Sequence, residues 1–570
     1  MKESKENQTQ NQVDQSPLQS KSRRNFLGNL GKAAIAGAVI STFENVTLAN
    51  SPIPEVENTT KMSRRAKARA IRIEAANFHY NRTPENLVHP TNGDEALYAN
   101  KIASFSKGLP HQSNGEVVPS AYKMMMEAID SGEPDKFESI PMGGKRRLIN
   151  PQAGYSFGLE GGDPQYYQIK PPPAFASREQ AAEIAENYWM AVLRDVNFLD
   201  YEESAIARDA AADLNRFGAD YKGGKDENGL VTTKTLFRGT IPGTEIGPYL
   251  SQFWYLPTRF GANWINTRIR TVLGPNDGGR DYLTDYDSWL ANQNGGRWVE
   301  NAYDPVLRWI RNGRDLGEWT HVDVLFQGYF QSLLILLGNG ILADKNNPYN
   351  FSRTQDGFGT LGAPYVASLV CQVAQNALRA VWFQKWCVHR RLRPEVFGGR
   401  IYRVLNNKAE YPVHAEILES ISSADRLGKY LTEKNGFLPV AFPEGSPTHP
   451  SYGAGHATVA GACVTILKAF FDEDKFIFGP VVPDSKGTTL APYIEHDAAK
   501  LTVGGELNKI AANVAIGRNI AGVHWLSDAT ESLKLGEQIA IDLLRDQKKC
   551  LNEKFDGFEL TRFDGIKINI

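Results

Sequence analysis

The stretch Ser446-Pro447-Thr448-His449-Pro450-Ser451-Tyr452-Gly453-Ala454-Gly455-His456-Ala457 decides how the chain is read. Two histidines seven residues apart flank a turn that holds two glycines. A helical pattern follows at once, with Val459, Cys463, Ile466, Leu467 and Phe470 on one face. Glycine permits a tight turn and a close approach of a ligand to the backbone. The start of a helix offers unpaired N–H groups and the positive end of its dipole, and both favour an oxyanion. His456 sits at that mouth. Taken alone, the same turn also reads as a plain loop with a capping histidine.

Two further segments carry the cations such a site needs. The first is Lys385-Trp386-Cys387-Val388-His389-Arg390-Arg391-Leu392-Arg393-Pro394-Glu395. A long helix is expected from about 364 to 391, and Ala377, Val381 and Lys385 are spaced so that the lysine continues an apolar face. Pro394 disfavours helix at Arg393, which then turns off the helix end. Lys385 and Arg393 can meet at one point; the alternative is a solvated basic helix end, with His389, Arg390 and Arg391 close by. The second segment is Gly517-Arg518-Asn519-Ile520-Ala521-Gly522-Val523-His524-Trp525-Leu526-Ser527-Asp528. Six residues on a straight helix rotate Arg518 and His524 apart by about 240°. Gly522 offers a break, and Ser527 and Asp528 can cap the next helix, so both side chains can reach one pocket. Three obligate cations with no cluster of carboxylate or cysteine ligands suit a tetrahedral oxyanion, not Zn²⁺ or Fe. Each cation–anion pair at about 4 Å contributes on the order of 4 kcal/mol at an effective dielectric near 20, before desolvation.

In this order the three segments resemble the signature shared by vanadium-dependent haloperoxidases and acid phosphatases: Lys before Arg-Pro, a Gly-His turn, then Arg-x5-His-x3-Asp. The stretch His89 to Glu95, with Asn92-Gly93-Asp94-Glu95, and the segment Lys107 to His111 resemble the N-terminal part of algal and cyanobacterial bromoperoxidases. The phosphatases are shorter and have no counterpart. The resemblance implies vanadate attached through the imidazole of His524, its oxygens held by Lys385, Arg393, Gly455, His456 and Arg518. It makes His456 the acid–base on bound oxygen and peroxide, and counts Lys385 and His449 in the catalysis. Trp382 and His449 would form the halide pocket, with bromide preferred and iodide also used. Asp528 would support the ligands from behind. Hydrogen peroxide would bind at vanadium, the cations would polarise it, halide would attack one oxygen, and hypohalous acid would leave to halogenate small organic acceptors. A structural Ca²⁺ and a homodimer or larger homo-oligomer belong to the same set of expectations. So does the fold: all-α, two four-helix bundles in one large helical domain, with minor short β-hairpins.

One departure stands out. Most relatives have Pro-Ser-Gly-His at the turn, where this chain has Gly453-Ala454-Gly455-His456. Losing the serine donor costs roughly 1.5–3 kcal/mol of anion stabilisation unless the backbone N–H groups of Gly455 and His456 compensate. The alternative function, from a different class, is a phosphoric monoester hydrolase in which His524 is phosphorylated and His456 protonates the leaving group. The long N-terminal half and His449 favour the peroxidase.

The rest of the chain sets the frame. At 570 residues it can bury a large core. A net charge of −2 with both signs well mixed points to neither nucleic acid nor an anionic membrane surface. Cys371, Cys387, Cys463 and Cys550 are few and unpatterned, and buried free thiols are expected. Residues 1–49 read as a polar disordered start followed by a Tat-type signal, Ser22-Arg23-Arg24-Asn25-Phe26-Leu27 and a short apolar run. That implies export to a periplasmic or extracellular space. A linker over 50–63 leads to a helical domain over 64–570, its N-terminal half reaching about 315 and its active-site bundle spanning 316–548. No segment is long enough to span a membrane. Ser177 with Gln180 reads as a capping box before a helix over roughly 179–197, and 218–296 reads as long loops. A strong helix is expected to begin around Trp319 to Asp323, with Phe326, Phe330, Leu333, Leu334 and Leu337 on its buried face. Asp323 lies on or near that face. It is either a helix-start carboxylate or a paired acid whose natural partner is an active-site arginine.

Overall fold

The computed structural model describes residues 62–431 and 435–570. The expected export signal and nearly all of the linker lie outside the described residues. The principal helices are α1 (Arg64–Arg82), α2 (Pro119–Ser131), α3 (Arg178–Val192), α4 (Ala205–Asn215), α5 (Gly313–Val322), α6 (Gln327–Gly338), α7 (Ala363–Phe383), α8 (Pro394–Leu405), α9 (Gly455–Phe470), α10 (Val503–Ile520) and α11 (Leu526–Cys550).

Helix α9 is apolar on every side, and of its residues only His456 is not fully buried. A helix of that composition has to be surrounded, and α7, α10 and α11 surround it. Its crossing with α11 is close enough to be set by two glycines. A methyl group on Gly461 would lie 2.1 Å from the carbonyl oxygen of Leu533, and one on Gly536 would lie 2.1 Å from that of Thr458. The N-terminal half contributes a second group of helices in which α3, also buried along most of its length, packs on α4, α8, α10 and the helix Ala415–Ser422. Near the start of the helical domain, α1 is tied to α11 by His79 on Asp546 and Arg82 on Asp542. Strands are confined to four two-stranded antiparallel sheets among the described residues, three of them hairpins and one pairing Ile269–Val272 with Tyr303–Arg308. The all-α expectation with small hairpins therefore holds. No helix among the described residues is long and apolar enough to cross a membrane.

Several local expectations change. The helix expected to run to 391 is α-helical only to Phe383; Gln384–His389 form a π-helical turn, and Arg390 adopts a left-handed φ of 35°. Ser177 does cap the N–H of Gln180, but α3 ends at Val192, and the Gln180 side chain turns to Arg391. The helix start expected at Trp319 is a seam between two helices. Asn312 caps α5 through the N–H of Asp315, α5 stops at Val322, and Asp323 is extended, with φ −65° and ψ 160°. The buried face of α6 is accordingly rotated to Tyr329, Ser332, Leu333, Ile335 and Leu336, and Leu337 is exposed. All four cysteines are free as expected, but only Cys463 is buried; Cys371 and Cys550 are exposed. Each of those two falls on a solvent-facing position of a helix whose other face is packed.

The end of α5 also carries a charged link. His321 lies 3.2 Å from Oε2 of Glu318 and 2.8 Å from Oε1 of Glu444, and its ring stacks on Phe442 at 4.0 Å. Burial alone would lower its pKa, but the hydrogen bonds to Glu318 and Glu444 outweigh burial and raise it to about 9.

In an ordinary exposed helix Gly→Ala gains about 1 kcal/mol. Here Gly536→Ala should instead lower the stability measured by urea unfolding by about 1–3 kcal/mol, as overpacking does. His321 titrates higher folded than unfolded. The stability it contributes is fully present below its unfolded pKa of about 6.5 and fades as pH rises to about 9. The gap in melting temperature between wild type and His321→Gln should therefore be widest near pH 6 and close by about pH 9.5.

Candidate active site

The π-helical turn widens the end of α7 at the point where Lys385 leaves it, a feature often associated with functional positions. Lys385 is completely buried. Its Nζ donates to the carbonyls of Pro450 and Ser451, both at 2.9 Å, so the lysine grips the turn that leads to His456. Pro394 opens α8, which leaves Arg393 as the residue before the first turn, in extended conformation. From there its guanidinium reaches two loops. Nη1 donates to the Val523 carbonyl at 2.6 Å and stands 2.9 Å from Nε2 of His524, and Nε and Nη2 donate to the His449 carbonyl at 3.1 and 3.0 Å. Arg518, from the last turn of α10, donates to the Thr320 carbonyl at 2.9 Å and lies 5.1 Å over the ring of Phe442.

The electrostatics of these three cations set the site apart. None forms an ion pair with a carboxylate among the described residues, and Nε of Arg518 is buried with no partner at all. Burial lowers the pKa of Lys385 well below the usual lysine range, with Arg393 adding to the effect. Burial likewise lowers Arg393 to about 9 and Arg518 to about 10. Buried positive charge met by carbonyl dipoles and imidazole nitrogens, with no carboxylate in contact, is a strong demand for an anion.

Gly522, at φ +80°, makes the break between α10 and α11 that a straight helix could not. The break swings His524 back toward Arg393. Its Nδ1 lies 2.7 Å from Oδ2 of Asp528. A carboxylate accepts only, so Nδ1 carries the proton, and Nε2 accepts from Nη1 of Arg393 with the lone pair that a ligand would take. Burial, then Arg393 and Lys385, lower the imidazole pKa and keep the ring neutral. Asp528 also accepts from the N–H of Trp525 and so caps α11, as expected of it.

His456 occupies the first turn of α9. Its Nε2 lies 3.0 Å from Oδ1 of Asp323, while Oδ2 of Asp323 is buried without a partner. Burial lowers the His456 pKa, partly offset by Asp323. The partner of Asp323 is thus His456 and not an arginine. The seam between α5 and α6 aims the carboxylate at α9, and Arg518 is engaged by the carbonyl of Thr320 instead. Ala454 precedes α9 and offers no side-chain cap; its own N–H donates to Oγ of Ser532 at 2.8 Å. The N–H groups of Gly455, His456 and Ala457 meet no acceptor among the described residues, and the first to do so is that of Thr458. Trp382 and His449 lie together, ring centroids 5.1 Å apart, with Nζ of Lys385 5.8 Å from the Trp382 ring. A methyl group on Gly455 would come within 3.2 Å of that tryptophan.

All ten residues singled out in the sequence are therefore brought into one region. Others were not singled out. Ser451 donates to Asp528, and Arg391 holds the other oxygen of Asp528 at 2.9 Å. Lys107, completely buried, pairs with Glu395 at 2.8 Å directly after Arg393 and Pro394, and burial lowers its pKa to about 7. Lys107 sits in a segment whose resemblance was noted without a role. Arg391 sat in a basic run that also reads as a solvated helix end, which the structure rules out.

The donor set fits a tetrahedral oxyanion such as vanadate: Nε2 of His524 could hold it, and Lys385, Arg393, Arg518 and the N–H groups at the start of α9 could meet its oxygens. Among the described residues no group of three or more His, Cys, Asp or Glu side chains is placed to hold a metal ion, so the expected Ca²⁺ has no support in the structure.

Comparison with known proteins finds relatives along most of the chain. Residues 367–553 match the model of the VCPO second helical-bundle domain. The vanadium-dependent bromoperoxidase of Corallina pilulifera is 38% identical over 568 residues, covering 84% of this chain and 94% of that protein. That of Ascophyllum nodosum is 34% identical over 489 residues, covering 82% and 86%. The homohexameric structure of the second vanadate-dependent bromoperoxidase of Ascophyllum nodosum superposes with a TM-score of 0.84 at 31% identity, covering 92% of this chain and 94% of that one. With identity at this level along most of both chains, the chain belongs to the vanadium-dependent bromoperoxidases.

Proposed function

We propose that the protein binds vanadate at His524 and uses hydrogen peroxide to oxidise bromide, and iodide more easily, to hypohalous acid that halogenates small organic acceptors. The observation that carries this reading is the ring of buried cations, none in an ion pair with a carboxylate among the described residues, around Nε2 of His524. Bound vanadate would supply a Lewis acid that stays at vanadium +5 and polarises peroxide. The chain's own residues do the rest. Lys385 uses two of its three donors on carbonyls and keeps one for the anion. Arg518 keeps Nε, and Arg393 meets the anion beside the histidine ligand. With its Nε2–H on Asp323, His456 has Nδ1 as the basic atom that takes a proton from peroxide and later returns it. Asp323 stabilises the imidazolium formed in between. Trp382 and His449 give the halide a partly apolar seat beside Lys385.

The phosphatase alternative is not favoured, since the relatives that match over most of the chain are bromoperoxidases. We extend the proposal to a homo-oligomer, supported by the homohexameric assembly of the structural relative. We extend it also to export through the Arg23-Arg24 signal, supported by the sequence alone.

The roles of the two histidines separate experimentally. His524→Ala should lose both vanadium and bromination, whereas His456→Ala should keep vanadium and lose most bromide oxidation. Vanadium content and phenol-dye bromination are read on the same preparations, and equal loss of metal in both would show the roles are not distinct. Ala454→Ser places a hydroxyl at the mouth of α9, where it serves the free N–H groups as a cap or the anion as a donor. A donor there adds about 1.5–3 kcal/mol, so the vanadate dissociation constant should fall about tenfold or more. Unchanged retention on dialysis would mean that the N–H groups of Gly455 and His456 already replace the missing serine.

A further inference from the structure

Asp528 is the hinge of the anchor, and it is held from two sides. On Oδ2 it accepts from Nδ1 of His524 at 2.7 Å, from the N–H of Trp525 at 3.2 Å, and from the hydroxyl of Ser451. On Oδ1 it accepts from Nη1 of Arg391 at 2.9 Å. Arg391 is itself fixed. Its Nη2 lies 2.6 Å from Oε2 of Glu183 and 2.7 Å from Oε1 of Gln180, and Nη1 also donates to Oγ of Ser527 at 2.8 Å. The guanidinium lies 4.7 Å over the ring of Trp525. Glu183 completes the circuit by accepting the N–H of Ser527 at 2.6 Å. Every side chain in this chain of contacts from α3 to His524 is buried, except that of Ser527.

We infer that Arg391, braced by Glu183, is a positioning residue for the vanadate anchor, acting only through Asp528. A carboxylate held on one oxygen can rotate about its bond to Cβ; the guanidinium on Oδ1 stops that rotation and keeps Oδ2 on Nδ1 of His524. The proton then stays at Nδ1, and Nε2 stays a ligand. Without Arg391 the carboxylates of Asp528 and Glu183 would face each other unscreened, and their repulsion would pull Asp528 away from the histidine. Glu183 in turn gives Arg391 a second carboxylate and fixes the far side of the guanidinium whose Nη1 meets Asp528. The inference rests on the proposed binding of vanadate at His524.

The test is a double-mutant cycle on apoprotein titrated with vanadate, read as the dissociation constant by equilibrium dialysis and as the ⁵¹V NMR shift of the bound anion. Arg391→Met should raise the dissociation constant by about 10–100-fold, the usual effect of losing an outer partner of a metal ligand, and should move the ⁵¹V signal. Arg391→Lys, which keeps the charge and loses the fork, should give a smaller change of the same sign. In an Asp528→Asn background either substitution should add no more than about a twofold change, the limit of ordinary additivity. Should Arg391→Met not fold, the same cycle is read with Arg391→Lys. An unchanged dissociation constant, or an equal loss in both backgrounds, overturns the inference, because Arg391 would then act by its charge alone or not at all. A wild-type protein that binds no vanadate overturns the cofactor reading itself, and this inference with it.

Discussion

The structure depends on keeping three positive side chains out of water without giving any of them a negative partner. Lys385, Arg393 and Arg518 are all buried, and their neighbours are carbonyls: Pro450 and Ser451, His449 and Val523, and Thr320. A carbonyl dipole offsets only part of the lost hydration of a full charge. The remainder is available to an anion that arrives, and it is greatest for a multiply charged one. Burial first, and then these cations, lower the pKa values of both histidines. Neutral rings are what a ligand and a base require, and protonating either would add to charge already in excess.

Around that unpaired centre the next charges outward are paired. Lys107 meets Glu395, Arg391 meets Asp528 and Glu183, and His321 meets Glu318 and Glu444. The contrast separates binding charge from structural charge. Pairing outside keeps the elements rigid while leaving the centre unsatisfied, and rigidity matters because preorganised donors lose least when the anion binds. Four of these outer groups, Lys107, Glu183, Glu318 and His321, come from the N-terminal half or from α5, well before the three signature segments in the chain.

Much of the centre was legible because its residues answer to local rules. Pro394 set the exit of Arg393, Gly522 marked the turn between α10 and α11, and Gly455 opened α9 as the apolar pattern after it implied. The π-helical turn at Gln384–His389 was not legible, because a widened turn has no residue signature of its own and is set by what it packs against. The partner of Asp323 was misassigned for a related reason. Periodicity ran smoothly across Val322 to Gln327 and hid the seam that redirects the carboxylate to His456. Glu183 carried no signal of its own, being one of three acids in a helix that the structure buries along most of its length. Its role exists only once Arg391, 208 residues away, is in place.

That separation in sequence has a consequence for how the site comes into being. Contacts from Glu183 to Ser527, and from Lys107 to Ser446, close spans of 344 and 339 residues. Loop closure on this scale adds little to the final free energy but delays the search. A segment limited to residues 367–553 would hold Lys385, Arg393, His456, Arg518 and His524, yet lack Lys107, Glu183 and Asp323. It would spell the signature without assembling it. An oxyanion captured here would therefore report on contacts made between distant parts of the chain, not on the signature segments alone.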